Sequence, residues 1–251
     1  MRRWAPIERR TVMKARNWSI IALLVIVAIL LSACNVVRGS GDLVTESRDV
    51  SGFDSIDLSG TGDVIITQGE GESLTIETDD NIMGRITSEV RGGTLYLGTE
   101  DLTNILPTRL VFTLGVDEFS AADVSGSGSI EAGSIETDSL EIDVSGSGSV
   151  NVDSLTAGDL GVRISGSGNI NLAGEVPKQD IDISGSGNYG AGDLLSETAV
   201  ISVSGSGAAT LWATGSLDAD VSGSGSIDYY GNPTVTSSTS GSSDINGLGE
   251  K

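Results

Sequence analysis

Val144-Ser145-Gly146-Ser147-Gly148-Ser149-Val150 is the stretch that decides the fold, because the chain keeps returning to it. The same pattern runs from Val124 to Ile130, Ile164 to Ile170, Ile183 to Tyr189, Val203 to Ala208 and Val221 to Ile227. A looser copy, Leu58-Ser59-Gly60-Thr61-Gly62-Asp63-Val64, stands earlier, and a worn one, Ser240-Gly241-Ser242-Ser243-Asp244-Ile245, stands near the end. From Val124 onward the copies are spaced by 20, 20, 19, 20 and 18 residues. A fixed period of this size is the signature of a solenoid, in which one small unit stacks on the next.

Laid over one another, the repeats agree on either side of the glycines. An alternating strand precedes each corner, as in Leu140-Glu141-Ile142-Asp143-Val144 and Leu217-Asp218-Ala219-Asp220-Val221. A second short strand follows, as in Val150-Asn151-Val152 and Ile170-Asn171-Leu172. A third turn closes the coil, as in Ala157-Gly158-Asp159-Leu160. Apolar residues point in while Asp, Asn and Ser point out. The expectation is an all-β chain folded as a parallel β-helix with coils of about 20 residues and Ser-Gly-Ser-Gly corners. Glycine takes positive φ without a Cβ penalty, so the bend repeats in register. No helix or Lys follows any copy, which leaves phosphate cradling unsupported. The Gly-Gly-x-Gly-x-Asp pattern of calcium-binding nonapeptides is absent.

The earlier half is less regular. Ile56–Leu58, Val64–Thr67, Leu74–Glu77, Leu95–Leu97 and Leu110–Leu114 read as strands, and Asp79-Asp80-Asn81-Ile82 as a turn. Leu58 and Val124 lie 66 residues apart, which fits three longer coils of about 22 residues with insertions.

Composition agrees with a thin, regularly stacked interior, since aromatics make up 4% of the chain and Gly numbers 35. There is no His, which removes Ser-His-Asp and Cys-His nucleophile pairs and His-ligated zinc. Net charge is −21. Without residues 1–33 the chain keeps 8 basic and 34 acidic residues, a net of −26. Such a surface repels nucleic acid backbones, so no nucleic acid partner is expected.

The amino terminus reads as an address. Six basic residues precede an uncharged run from Trp18 to Leu31, short for a span and suited to a secretory signal. Leu31-Ser32-Ala33-Cys34 then resembles a bacterial lipobox, in which the Cys is lipidated and becomes the first mature residue. The expected division is a signal peptide over 1–33, a tether over 34–48 and a β-helical domain over 49–251, with 236–251 a frayed cap. An uncleaved signal anchor over 18–37 with an incidental Cys34 is the alternative. Both place the rest of the chain outside the cytoplasmic membrane, in the bacterial envelope.

Stacking predicts a column from the residue before each corner: Asp123, Asp143, Arg163, Asp182, Ser202 and Asp220. The plain reading is a solvated face whose repulsion Arg163 and water relieve. A sharper one makes Asp123, Asp143, Asp182 and Asp220 ligands of a weak, multivalent cation site, carboxylates being hard oxygen donors.

The chain resembles the putative auto-transporter adhesin head GIN domain family. Arg48-Asp49-Val50-x-Gly52-Phe53-Asp54-x-Ile56, Gly62-Asp63-Val64, Asp79-Asp80-Asn81-Ile82 and the corners carry the likeness over roughly 49 to 235. The resemblance implies a right-handed parallel β-helix in an exported or lipid-anchored protein, and it supplies no catalytic residues or cofactor. The function expected is therefore a non-catalytic, lipid-anchored surface protein presenting an acidic face to envelope polysaccharide or a surface protein. The alternative is a carboxylate-based enzyme acting on polysaccharide, which needs two or three acids in one cleft beside a basic or aromatic platform. By sequence only Arg163 interrupts the acids, Trp212, Tyr229 and Tyr230 lie towards the far end, and nothing converges. A stress or signalling accessory rests on the anchor alone.

Overall fold

The computed structural model describes residues 36–100 and 104–251. Cys34 and the signal segment lie outside the described residues. The expected parallel β-helix is what forms. Strands β10 (Ala121–Gly126), β11 (Ser129–Ala132), β12 (Ile135–Gly146), β13 (Ser149–Gly166), β14 (Asn169–Gly185), β15 (Asn188–Gly205) and β16 (Ala208–Gly223) pair in parallel from coil to coil. Where short strands were expected, β13 to β16 each run round almost a whole coil and break only at the Ser-Gly-Ser-Gly corner.

Two different physical demands place the two glycines of a corner. Gly146 has φ of 139°, and a Cβ there would lie 2.5 Å from the Gly126 carbonyl oxygen one coil away. Gly148 needs no unusual φ, but its Cβ would meet Val124 Cγ1 at 2.5 Å and the Gly128 carbonyl at 2.8 Å. The first glycine allows the bend, and the second lets the corner settle onto the apolar residue of the next coil. Backbone bonds then run straight up the corner, Ser147 N–H donating to Gly126 O at 2.7 Å and Ser149 N–H to Gly128 O at 3.1 Å.

The interior is a column of aliphatic residues, β-branched ones such as Ile142, Val144, Val150 and Ile164 alternating with leucines such as Leu140, Leu160 and Leu172, all buried. One polar chain crosses it. The Tyr189 hydroxyl donates to Gln179 Oε1 at 2.8 Å, Gln179 Nε2 to Ser196 Oγ at 2.8 Å, and Ser196 Oγ to the Trp212 carbonyl at 2.7 Å. Burial pushes the Tyr189 phenol far above its usual range, so it stays a neutral donor.

The early half departs from the three-coil expectation. β3 (Ser55–Gly60) and β4 (Asp63–Gln68) pair directly with β10 and β11, so Leu58 lies beside Val124 in the next layer. The intervening chain crosses to the other side of β3 and β4 and forms the terminal layer from β7 (Thr94–Thr99) and β9 (Leu110–Val116). The spatial order of layers is thus not the chain order. Antiparallel strands β5 (Ser73–Asp79), against β9, and β6 (Ile86–Arg91), against β7, finish that end. Capping the end in this way occupies edges that would otherwise recruit strands from other chains. The expected turn at Asp79–Ile82 leads into a single helical turn, α1 (Asp80–Met83).

Residues 36–48, read from the sequence as part of a tether, are fastened to the domain. β1 (Val36–Arg38) pairs with β8 (Asn104–Leu106), and β2 (Leu43–Arg48) pairs antiparallel with β5. The acidic turn does the fastening. Gly41 N–H donates to Asp79 Oδ1 at 2.7 Å, Ser40 Oγ to Asp80 Oδ1 at 2.6 Å, and Asn81 Nδ2 to the Arg38 carbonyl at 2.8 Å. Thr108 N–H donates to the other Asp79 oxygen at 2.7 Å. Burial acts to raise the Asp79 carboxyl, but these donors outweigh it and hold it below its usual range. At the other end, the segment expected to fray is stranded and stacked on the coil before it. β17 (Ser226–Tyr230), β18 (Thr234–Gly241) and β19 (Asp244–Gly249) pair in parallel, with Gly241 opposite Gly223 and a register shift against β19 between Tyr229 and Tyr230. The segment's inward positions are mixed: Val235 and Ile245 stand opposite Leu217 and Ile227, while Ser237 and Thr239 take the places of Ala219 and Val221 where no further coil covers them. Among the described residues no helix is long and apolar enough to cross a membrane.

Candidate functional site

The period-two alternation that sends Val124 inward sends Asp123 outward, and in-register parallel pairing turns that preference into a column. The predicted order is present: Asp123, Asp143, Arg163, Asp182, Ser202 and Asp220 stand opposite one another in successive coils. The column continues in the other direction through Asp57 and Tyr96 to Glu89 on the antiparallel strand β6. Neighbouring rungs are about 4.8 Å apart. A parallel column of serines stands two residues further on, from Ser59 through Ser125, Ser145 and Ser165 to Ser240. Ser59 Oγ donates to Asp57 Oδ1 at 3.0 Å, and Ser125 Oγ to Ser59 Oγ at 3.3 Å.

A shallow open groove of about 260 Å³ lies over this part of the column, lined by Tyr96, Asp57, Asp123, Glu141, Asp143 and Arg163 among others. Here acids, a guanidinium and an aromatic ring do share one surface, which corrects the expectation that nothing converges. The two residues that extend the column differ in how far the sequence announces them. Asp57 was legible, since it precedes Leu58 as Asp123 precedes Val124. Tyr96 was not, because its layer is contributed out of chain order.

Partial burial pushes the Asp123 carboxyl above its usual range, and the charges of Asp57 and Asp143 on either side add to the effect. Arg163 is exposed in the same column, and the four ion pairs found among the described residues all lie elsewhere. Among the described residues its five donors thus have no carboxylate within ion-pair distance. Tyr96 is 37% exposed, with the Arg91 guanidinium 5.2 Å from the centre of its ring. Glu141 reaches over the neighbouring coil, where Gly161 has no side chain to obstruct it.

The four aspartates weighed as cation ligands do not form one set. Asp123 and Asp143 occupy adjacent rungs, while Arg163 separates Asp143 from Asp182, and Ser202 separates Asp182 from Asp220. Among the described residues no three Asp, Glu, Cys or His side chains are placed to hold a metal ion. What the groove can do is accept hydrogen bonds from hydroxyls along the acids, donate from Arg163, and offer a flat ring at one end. Trp212 and Tyr230 stand on adjacent rungs of β16 and β17, well removed from the groove.

The fold has solved counterparts. A putative adhesin from Bacteroides fragilis is 30% identical, with a TM-score of 0.81 over 84% of this chain and 100% of that one. A putative lipid binding protein from Parabacteroides distasonis shares the fold at 24% identity and a TM-score of 0.70, covering 85% of this chain and 100% of its own. A putative adhesin from Parabacteroides merdae does so at 22% and 0.68, covering 85% and 99%. No curated protein matches the chain. Residues 52–233, from the glycine before Phe53 to the start of the last coil, match the sequence pattern described as putative auto-transporter adhesin, head GIN domain, and the chain belongs to that family.

Proposed function

We propose that the protein is a non-catalytic adhesin of the bacterial envelope, held to the membrane by a lipid on Cys34, whose acidic groove binds a hydroxyl-rich envelope polysaccharide. The observation that carries this reading is the composition of the groove. Asp57, Asp123 and Asp143 form an unbroken ladder of acceptors ending on the donor Arg163 at one side and the Tyr96 ring at the other. A repeating ladder suits a repeating polymer, because each added sugar meets the same spacing. Family membership and a 30% identical putative adhesin support a surface role.

Retention of purified envelope polysaccharide on the immobilised protein tests the groove. The triple variant D57N/D123N/D143N, which keeps side-chain shape but removes charge, is expected to lose at least tenfold in affinity, and R163A a comparable amount. Undiminished binding by the triple variant would end this reading. The anchor has its own test in the intact mass of membrane-extracted protein. A chain beginning at Cys34 and carrying acyl groups, absent from C34A, is the expected result, and an unprocessed full-length mass refutes it.

One observation favours the enzymatic alternative. Asp123 and Asp143 are one rung apart, near the separation of about 5 Å used by retaining glycosidases, and Asp123 is the carboxyl with the raised pKa. Release of reducing ends from envelope polysaccharide, abolished in D123N, would establish that alternative in place of a binding role.

A further inference from the structure

A second site stands at the far end of the stack and does not depend on the groove. In β15 the register against β16 jumps from Ala191 opposite Leu211 to Leu195 opposite Trp212. Gly192, Asp193 and Leu194 therefore form a bulge beside the indole. Bulges re-aim backbone and side chains at defined places. This one brings the Gly192 carbonyl and the Asp193 carboxylate to the edge of a two-ring wall, since Trp212 and Tyr230 occupy adjacent rungs. Gly192 approaches so closely that a Cβ would lie 3.3 Å from Tyr230 Cε2.

The Lys251 ammonium lies against these groups, on the open side of which the Asp193 side chain is 77% exposed. Its Nζ lies 5.4 Å from the centre of the Trp212 ring and 5.0 Å from that of Tyr230. It donates to the Gly192 carbonyl and forms an ion pair with Asp193. Two aromatic faces supply the attraction a cation gains over a π-cloud. A carbonyl and a carboxylate supply two N–H acceptors, so the site distinguishes an ammonium that carries protons from one that is fully alkylated. The Lys251 side chain is 32% exposed, so a large part of it is covered by the wall it rests on. Two rings, a carbonyl and a carboxylate thus converge on one nitrogen.

We propose that Trp212, Tyr230, Asp193 and the Gly192 carbonyl form a recognition site for the lysine side chain of a partner protein, and that Lys251 occupies it in cis until displaced. The stem of lysine matches the apolar wall, and its head matches the two acceptors. Because Lys251 is part of the same chain, it competes at an effective concentration of about millimolar. The site is then closed to weak or sparse ligands and opens to a partner that presents lysine at high local density.

Calorimetric titration of the full chain with Nα-acetyl-lysine amide tests this. K251A is expected to bind it saturably, at least tenfold more tightly than the wild type, in which the site is filled. The double variants K251A/D193N and K251A/W212A are expected to lose at least tenfold relative to K251A, with unchanged far-ultraviolet circular dichroism. Choline, which has no N–H to donate, is expected to bind K251A at least tenfold more weakly than the lysine amide. Absence of binding to K251A, or equal binding with and without Asp193, would overturn the site. Equal affinity for glucosamine would overturn the assignment to lysine.

Discussion

Alanine at Gly146 should damage the protein far more than alanine at Gly133, although both glycines lie in neighbouring coils and differ from alanine by one methyl group. At Gly146 the added Cβ meets three costs at once. The backbone there has φ of 139°, which an L-residue adopts only with strain of about 1–2 kcal/mol. The methyl would sit 2.5 Å from the Gly126 oxygen, and relieving that overlap by separating the coils costs about 1–3 kcal/mol. Separation also lengthens the 2.7 Å bond from Ser147 N–H to Gly126 O, a bond of about 1 kcal/mol. These contributions overlap, and a working value for G146A is about 3 kcal/mol. At Gly133 a Cβ meets nothing within 4 Å and φ is unexceptional, so G133A should be neutral or more stable by up to about 1 kcal/mol. With a urea dependence of about 2 kcal/mol per M, G146A lowers the unfolding midpoint by about 1.5 M and G133A does not lower it. Because each coil touches only its neighbours, hydrogen exchange should also quicken at Ser147 and Ser167 in G146A before it does in distant coils. Equal midpoints for the two variants would refute the argument that corner stacking, rather than glycine content, stabilises the solenoid.

Three further outcomes follow from the structure. Y189F leaves Gln179 Oε1 buried without a donor and should cost about 1–3 kcal/mol in urea unfolding, while Y189F/Q179L should recover most of the loss. Asp123 has a folded-state pKa raised above its unfolded value, so its ionisation opposes folding, and that penalty is relieved as pH falls through the raised value. D123N should therefore raise the urea midpoint at neutral pH, with the advantage gone at pH values below both pKa values. Asp79 has the opposite sign: its depressed folded pKa stabilises the structure above the ordinary carboxylate range, and the contribution is lost as pH falls through the folded value. Proteolysis within residues 36–48 should accelerate over that acidic window, and in D79A it should be rapid already at neutral pH.

The solenoid was readable from the corners because a parallel stack repeats its own local pattern. An Asp before one corner stands beside the Asp before the next, so alternation plus a constant period determines both face and partner. That logic fails between Leu58 and Val124. The strands over 73–116 alternate as cleanly as the later ones, but alternation reports that a strand exists and not which strand it joins. Their antiparallel pairing and return to the far side of β3 leave no local trace. The same limit hid Tyr96 from the groove and the docking of residues 36–48, whose partners Asp79, Asp80 and Asn81 are polar and some 40 positions away. Ser237 and Thr239 read as decay of the repeat, whereas in the last layer these inward positions have no coil above them to bury them.

The docking of residues 36–48 also has a mechanical meaning. With anchoring at Cys34 as proposed, a single residue separates the lipid from β1, and the groove lies on the coils nearest that end. Tension from a bound polymer would then pass from the membrane through β1, β2 and the terminal layer to Tyr96, Asp57 and Arg163, and no further. The later coils carry none of the pull. They are free to project the Trp212–Tyr230 wall outward while the anchored end bears the load.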